Sequence, residues 1–187
     1  MEMTLYRHGE TILSCGEKRF LGTTECSLSP RGREQIRAAA TAYEKLPEKI
    51  YCSPSIRCRE SAQIFAEILS KRQRRPEIVY RERLREIHMG EWDGKTFSEI
   101  KEAYPDAYEE RGRDLVHFRV PKGETFEEVQ KRAVAEIELI KKEQEGEILV
   151  MTHHGVIRAL RCYYLGLPLT KLMEWKLGYA QCFALRI

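Results

Sequence analysis

Residues 3–10 read Met3-Thr4-Leu5-Tyr6-Arg7-His8-Gly9-Glu10. The first four form an apolar run with the length and composition of a buried strand. A chain that ends such a strand on Arg-His-Gly sets a cation, an imidazole and a pliable turn at the carboxyl edge of a sheet. Open α/β sheets bind their ligands at that edge. His8 can act as nucleophile, base or ligand, Arg7 can fork around an anion, and Gly9 lets the backbone approach a substrate closely. The natural reading is a phosphate site. Alone, the tripeptide is more simply a core histidine beside a surface arginine, but three further segments reverse that judgement.

Outward from this strand, further strand signals fall near Lys49 to Cys52, Glu77 to Tyr80, Ile148 to Thr152 and Ala180 to Leu185, with helical patterns between them. The alternation predicts a three-layer α/β/α fold, with a central, mostly parallel mixed sheet and helices on both faces. Ser29-Pro30, Ser53-Pro54 and the capping box at Thr125 to Glu128 predict helix starts near Pro30, Pro54 and Phe126. Leu165-Gly166-Leu167-Pro168 stops the helix that follows His154. Residues 81–122 are irregular and rich in charge and Tyr, with short helical stretches after Thr96 and Pro105. They read as an insertion covering the sheet edge within one domain spanning 1–187. Trp92 is expected to pack that cover, and Trp175 to lie on the final helix or its packing face.

The other chemistry-bearing segments obey the same placement rule. Cys52-Ser53-Pro54-Ser55-Ile56-Arg57 carries the second strand into a helix and puts Arg57 on its first turn, where guanidinium and helix dipole act on one anion. Leu84 to Gly94 holds Glu86, a candidate general acid and otherwise one of 29 acidic residues. Ile148 to Arg158 runs an apolar strand into His153-His154-Gly155 and a helix, repeating the logic of the first strand. Adjacent histidines diverge in direction and no Asp or Cys stands at a helpful spacing, so no metal is expected there.

Composition agrees with a globular chain: 187 residues, 42% hydrophobic and 33% charged. No apolar stretch approaches the roughly 20 residues that span a bilayer. The first strand begins too near Met1 to leave room for a secretory leader, so a cytoplasmic protein is expected. The net charge of +3 is weak, and the run Lys71-Arg72-Gln73-Arg74-Arg75 reads as a solvated helix end rather than a nucleic-acid patch. Cys15, Cys26, Cys52, Cys58, Cys162 and Cys182 show no metal spacing and are expected as reduced thiols.

Taken together, Arg7-His8-Gly9, Ser53-Pro54-Ser55-Ile56-Arg57, Glu86 and His153 resemble, in order, the hallmarks of the histidine phosphatase superfamily, the phosphoglycerate-mutase-like fold. The resemblance covers about Met3 to Leu165. It implies that His8 takes the phosphoryl group on a ring nitrogen, that Arg7, Arg57 and His153 surround the phosphate, and that Glu86 protonates the leaving alkoxide and then assists water. No cofactor is implied, because fixed cations stabilise the charge that spreads over the transferring group. The implied partner is a small phosphomonoester. Two positions depart from the family pattern: Ser14 replaces a common Asn, and His154 stands where many relatives have glycine.

The compact length favours a phosphatase over a mutase, and the presence of all five chemical residues argues against a non-catalytic phosphate-binding scaffold. Arg19 to Ser29 with Gly32, Leu84 to Gly94, and Pro121 to Phe126 look like bacterial α-ribazole phosphatases, with Glu25 and Ser27 as departures. That likeness implies α-ribazole phosphate, from assembly of the cobalamin nucleotide loop, as substrate, with Arg19 and Gly22 near the phosphate or leaving group and Ser14 and His154 beside them. Broad-specificity sugar-phosphate phosphatases share much of the pattern and form the alternative.

Overall fold

The computed structural model of the chain describes residues 1–14, 16–72 and 75–186. Cys15, and Gln73 and Arg74 of the basic run, therefore lie outside the described residues, while Cys26, Cys52, Cys58, Cys162 and Cys182 are free thiols. In chain order the elements are β1 (Glu2–Arg7), α1 (Pro30–Ala42), β2 (Lys49–Cys52), α2 (Ile56–Leu69), β3 (Glu77–Tyr80), α3 (Phe97–Ala103) and α4 (Pro105–Arg113). Then follow α5 (Phe126–Glu143), β4 (Glu147–Thr152), α6 (His154–Tyr164) and β5 (Cys182–Arg186).

The five strands form one mixed sheet in the order β3-β2-β4-β1-β5. Only β5 runs antiparallel, against β1; the other pairs are parallel. Both faces are covered, which is why the central strands read as unbroken apolar runs. The two-residue strand period sorts their side chains. Met3, Leu5, Ile148 and Val150 face α5, α6 and the 81–122 segment. Tyr6, Leu149 and Met151 face α1 and α2. From the 81–122 segment, Trp92 enters the first core at 2% exposure, its ring 5.3 Å from that of Phe20.

The helix starts predicted from caps follow the capping chemistry, with one exception. Ser29 Oγ accepts from the Gly32 amide at 3.0 Å, and Thr96 with Glu99 and Thr125 with Glu128 complete reciprocal capping boxes. Ser53-Pro54 does not start α2. The Ser53 amide still donates to Met151 O along the sheet, and its hydroxyl is held by His153, so the helix begins at Ile56 with Ser55 in the cap position. Arg57 nonetheless stays in the first turn. At the other end of the chain, Ala180 takes a positive φ of 55° and its amide donates to His8 O, so β5 begins at Cys182 rather than Ala180. Trp175 lies beyond the last helical turn (Leu169–Met173), edge-on to Phe183 at 5.6 Å. No helix among the described residues is long and apolar enough to cross a membrane.

Candidate active site

The carboxyl ends of β1 and β4, the first turn of α2 and the 81–122 segment enclose a cavity of about 230 Å³ lined by Arg7, His8, Arg57, Glu86 and His154 among others. At its floor His8, 7% exposed, places Nδ1 2.7 Å from its neighbour's carbonyl, Gly9 O. A carbonyl can only accept, so Nδ1 carries the proton and Nε2 keeps its lone pair. Burial, and then the Arg57 and Arg7 guanidiniums, hold the His8 pKa well below the usual histidine range. His8 is thus a neutral imidazole with one nitrogen free. Gly9 serves packing rather than substrate approach: a Cβ there would lie 2.4 Å from Gly32 O of α1.

Arg57 is 1% exposed and is fixed by three bonds: Nη2 to Gly22 O at 2.7 Å, Nη1 to Thr24 O at 2.9 Å and Nε to His153 Nδ1 at 3.3 Å. Because Arg57 can only donate, His153 must carry its proton on Nε2, which donates to Ser53 Oγ at 2.8 Å. His153 is fully buried, its ring 5.3 Å from that of His8, and burial with Arg57 depresses its pKa as well. Both of its nitrogens are taken by the protein. Nδ1 is held by Arg57 and Nε2 by Ser53. Cys58, beside it with Sγ 3.5 Å from Nε2, is pushed by burial to about 12 and remains an inert thiol.

Opposite these groups, Glu86 accepts from the Ile87 amide at 2.9 Å through Oε1 and from the Gly155 amide at 3.1 Å through Oε2. The loop behind it is clamped by Arg132 of α5, which donates to Arg83 O, Glu86 O and the Glu124 carboxylate. Arg7 donates to Leu177 O at 2.7 Å, and its guanidinium lies 3.8 Å over the Tyr179 ring.

The four remaining expected residues are each held differently. Ser14 lines the cavity while its hydroxyl accepts from Tyr179 Oη at 2.8 Å, so it steadies that ring. His154 accepts from the Leu177 amide at 3.3 Å and is pushed down to about 3 by burial, Arg7 and Arg158. Arg19 stands exposed at the rim, bonded to Gly94 O at 3.0 Å. Gly22 is not part of the lining; its carbonyl holds Arg57 and its amide donates to Asp93.

Sequence reasoning missed four residues. Asp93 gathers the Gly22, Thr23 and Thr24 amides and the Thr23 hydroxyl at 2.7–2.9 Å, shaping the loop whose carbonyls hold Arg57. Tyr179 comes from the amino end of β5, and an antiparallel strand brings that end to the carboxyl edge of β1. A placement rule that included antiparallel strands would have found it. Arg111 of α4 and Arg158 of α6 also line the cavity.

A neutral imidazole with one free nitrogen, arginines around it and a fixed carboxylate opposite make this a phosphate-handling enzyme. The chain belongs to the histidine phosphatase superfamily (branch 1), whose family model matches residues 3–187. Among its relatives, a metal-independent phosphoserine phosphatase of Arabidopsis thaliana is 32% identical over 163 residues, 85% of this chain and 66% of that protein. The structure of Bacillus stearothermophilus YhfR superposes with a TM-score of 0.89 at 31% identity, covering 100% of this chain and 91% of that one. The α-ribazole phosphatase of Shigella flexneri shares the fold, with a TM-score of 0.87, 24% identity and coverage of 100% and 91%. The protein is a phosphatase of this superfamily.

Proposed function

We propose that the protein is a metal-independent phosphomonoesterase that works through a phosphohistidine. The free Nε2 of a neutral, fixed His8 carries this reading. Nε2 attacks phosphorus while Arg7 and Arg57 balance the charge on the phosphoryl oxygens. The ester P–O bond breaks, and Glu86 passes its proton to the leaving alkoxide. Water then attacks the phosphohistidine, giving a proton back to Glu86; the N–P bond breaks, orthophosphate leaves and neutral His8 is restored. His153 acts through Arg57 and Ser53, and residues 81–122 shape the leaving-group side through Glu86, Ile87 and Arg111.

At the level of substrate, the resemblance of Arg19 to Ser29 keeps α-ribazole phosphate first among aromatic and sugar phosphates. The test is rapid quench with a radiolabelled phosphomonoester in excess chelator. An acid-labile, base-stable label on the wild type that disappears in His8→Ala is the expected result. Label retained in that variant, or turnover abolished by the chelator, overturns the proposal. Phosphate release from α-ribazole phosphate, sugar phosphates and phosphoglycerate under the same conditions ranks the substrates.

A further inference from the structure

Gly9 decides where the proton of His8 resides. Its carbonyl receives that proton from Nδ1 at 2.7 Å, and the contact leaves Nε2 bare. Glycine has the widest choice of backbone angles of any residue, so the direction of this carbonyl is not set by the residue itself. Its neighbours must fix it.

Both peptide planes that meet at Gly9 are held at each end. In the plane before it, His8 O accepts from the Ala180 amide at 3.1 Å and the Gly9 amide donates to Ser61 Oγ at 3.2 Å. In the plane after it, Gly9 O accepts from His8 Nδ1 and the Glu10 amide donates to Gln35 Oε1 at 3.0 Å. Ser61 lies on α2 and is fully buried; Gln35 lies on α1 and is half-buried. Backbone amides can only donate, so a serine oxygen and the carbonyl end of the glutamine face them. The Ser61 hydroxyl hydrogen goes the other way, to Arg57 O at 2.7 Å, which ties the peptide before Gly9 to the helical turn that carries Arg57. Neither Ser61 nor Gln35 is among the residues lining the cavity.

We infer that Ser61 and Gln35 are positioning residues for the reaction: by pinning the two peptide planes around Gly9 they aim its carbonyl at Nδ1, and so select which nitrogen of His8 is the nucleophile. An imidazole whose carbonyl partner turns away is free to carry its proton on Nε2, and in that form Nε2 has no lone pair to offer phosphorus. The inference deepens the phosphohistidine reading and rests on it for the identity of the attacking atom.

Long-range proton–nitrogen correlation spectra of the protein, isotope-labelled at histidine, distinguish a protonated ring nitrogen from a bare one. The His8 signals are those missing in His8→Ala. Wild type should show Nδ1 protonated and Nε2 bare. In Ser61→Ala and in Gln35→Met the two signals should converge as the Nε2–H form gains population. The kcat of each should fall about tenfold to a hundredfold with little change in KM, the scale on which a misplaced reacting group slows a reaction. Ser61→Thr and Gln35→Glu keep an acceptor oxygen and should restore the spectrum and most of the rate. Thermal melts identify any variant that has lost its fold, and the half-buried Gln35 carries the test if Ser61→Ala does not fold. Wild-type spectra and kcat in the folded Ala and Met variants, or a fall in kcat with the tautomer unchanged, overturn the inference. A shifted tautomer in the variants of a wild type that forms no phosphoenzyme would sink the proposed reaction and leave the role of Ser61 and Gln35 in place.

Discussion

Glu86 and Gly155 fit against each other with no space between them: the Gly155 amide donates to Glu86 Oε2 at 3.1 Å, and a Cβ on residue 155 would stand 2.4 Å from Oε1. The glycine that follows the paired histidines therefore sets the position of a carboxylate nearly seventy residues away in sequence.

Gly155→Ala should leave the fold intact and damage the chemistry. The crowded atom is the end of a flexible side chain, so Glu86 swings aside at a cost to stability within about 1 kcal/mol. Displacing the proton donor should lower kcat about 10²-fold, the lower end of what general acid catalysis contributes. Steady-state kinetics beside a thermal melt checks both halves; unchanged kcat would show that the carboxylate position is not critical.

Asp93→Ala should act on phosphate binding from a distance. Its carboxylate satisfies three amides and a hydroxyl of residues 22–24, whose carbonyls in turn fix Arg57. Removing it leaves several donors unpaired and should destabilise by about 2–3 kcal/mol. The inhibition constant of orthophosphate should rise about tenfold or more as Arg57 loosens. Equal phosphate inhibition in the variant would sever the proposed link.

Tyr179→Phe and Tyr179→Ala should differ. Phe keeps the ring under Arg7 and loses the hydroxyl, with its bond to Ser14 and its attraction for Arg7, whereas Ala also removes the cation–π contact at 3.8 Å. A partly desolvated contact of this kind is worth about 1–2 kcal/mol, so KM should rise roughly tenfold in the alanine variant and about twofold or less in the other. Indistinguishable KM values would refute the role of the ring.

Stability should fall on acidification from neutral pH. His8, His153 and His154 all have native pKa values depressed by burial and neighbouring arginines, that of His154 to about 3. The unfolded chain titrates these groups near 6.5 and so binds more protons than the native state below that pH. Their contribution is complete above about pH 6.5 and is lost as pH falls toward the native values, each group adding at most about 1.4 kcal/mol per pH unit. Urea midpoints between pH 7 and 5 should decline, and less steeply in His154→Gln. Parallel profiles for the two proteins would show that His154 does not titrate this way.

Arg132→Met should free the loop behind Glu86. The guanidinium ties Arg83 O, Glu86 O and the Glu124 carboxylate together, so kcat should fall about tenfold with little change in KM. Glu124→Gln should give a smaller loss, and the double variant should be no worse than Arg132→Met alone, because both changes break one clamp. Additive losses would separate the two residues.

The features legible in the sequence are those written locally. Strand ends at His8 and His153, caps at Ser29 and Thr125 and the apolar runs between them predicted the layered sheet and the edge at which His8 stands. The structure differs where a contact between distant segments overrides a local signal. Ser53 looks like a helix cap and is claimed by His153; Gly9 looks like a substrate approach and is claimed by Gly32. Asp93 sits in a stretch without periodicity and Arg111 on a short helix, and only the folded chain shows Asp93 gathering the 22–24 loop or Arg111 lining the cavity.

The sheet order also bears on how the molecule comes into being. β1, which carries Arg7 and leads directly into His8, is separated by well over a hundred residues of chain from its two neighbours, residues 147–152 and 182–186. A nascent chain must hold this apolar strand unpaired until residues 147–152 have emerged from the ribosome, and long-range parallel pairing of this kind is slow. The segment leading into β5 also delivers Tyr179 to the pocket. A chain stalled before residue 182 would therefore expose the open edge of β1, a surface for chaperones or for aggregation.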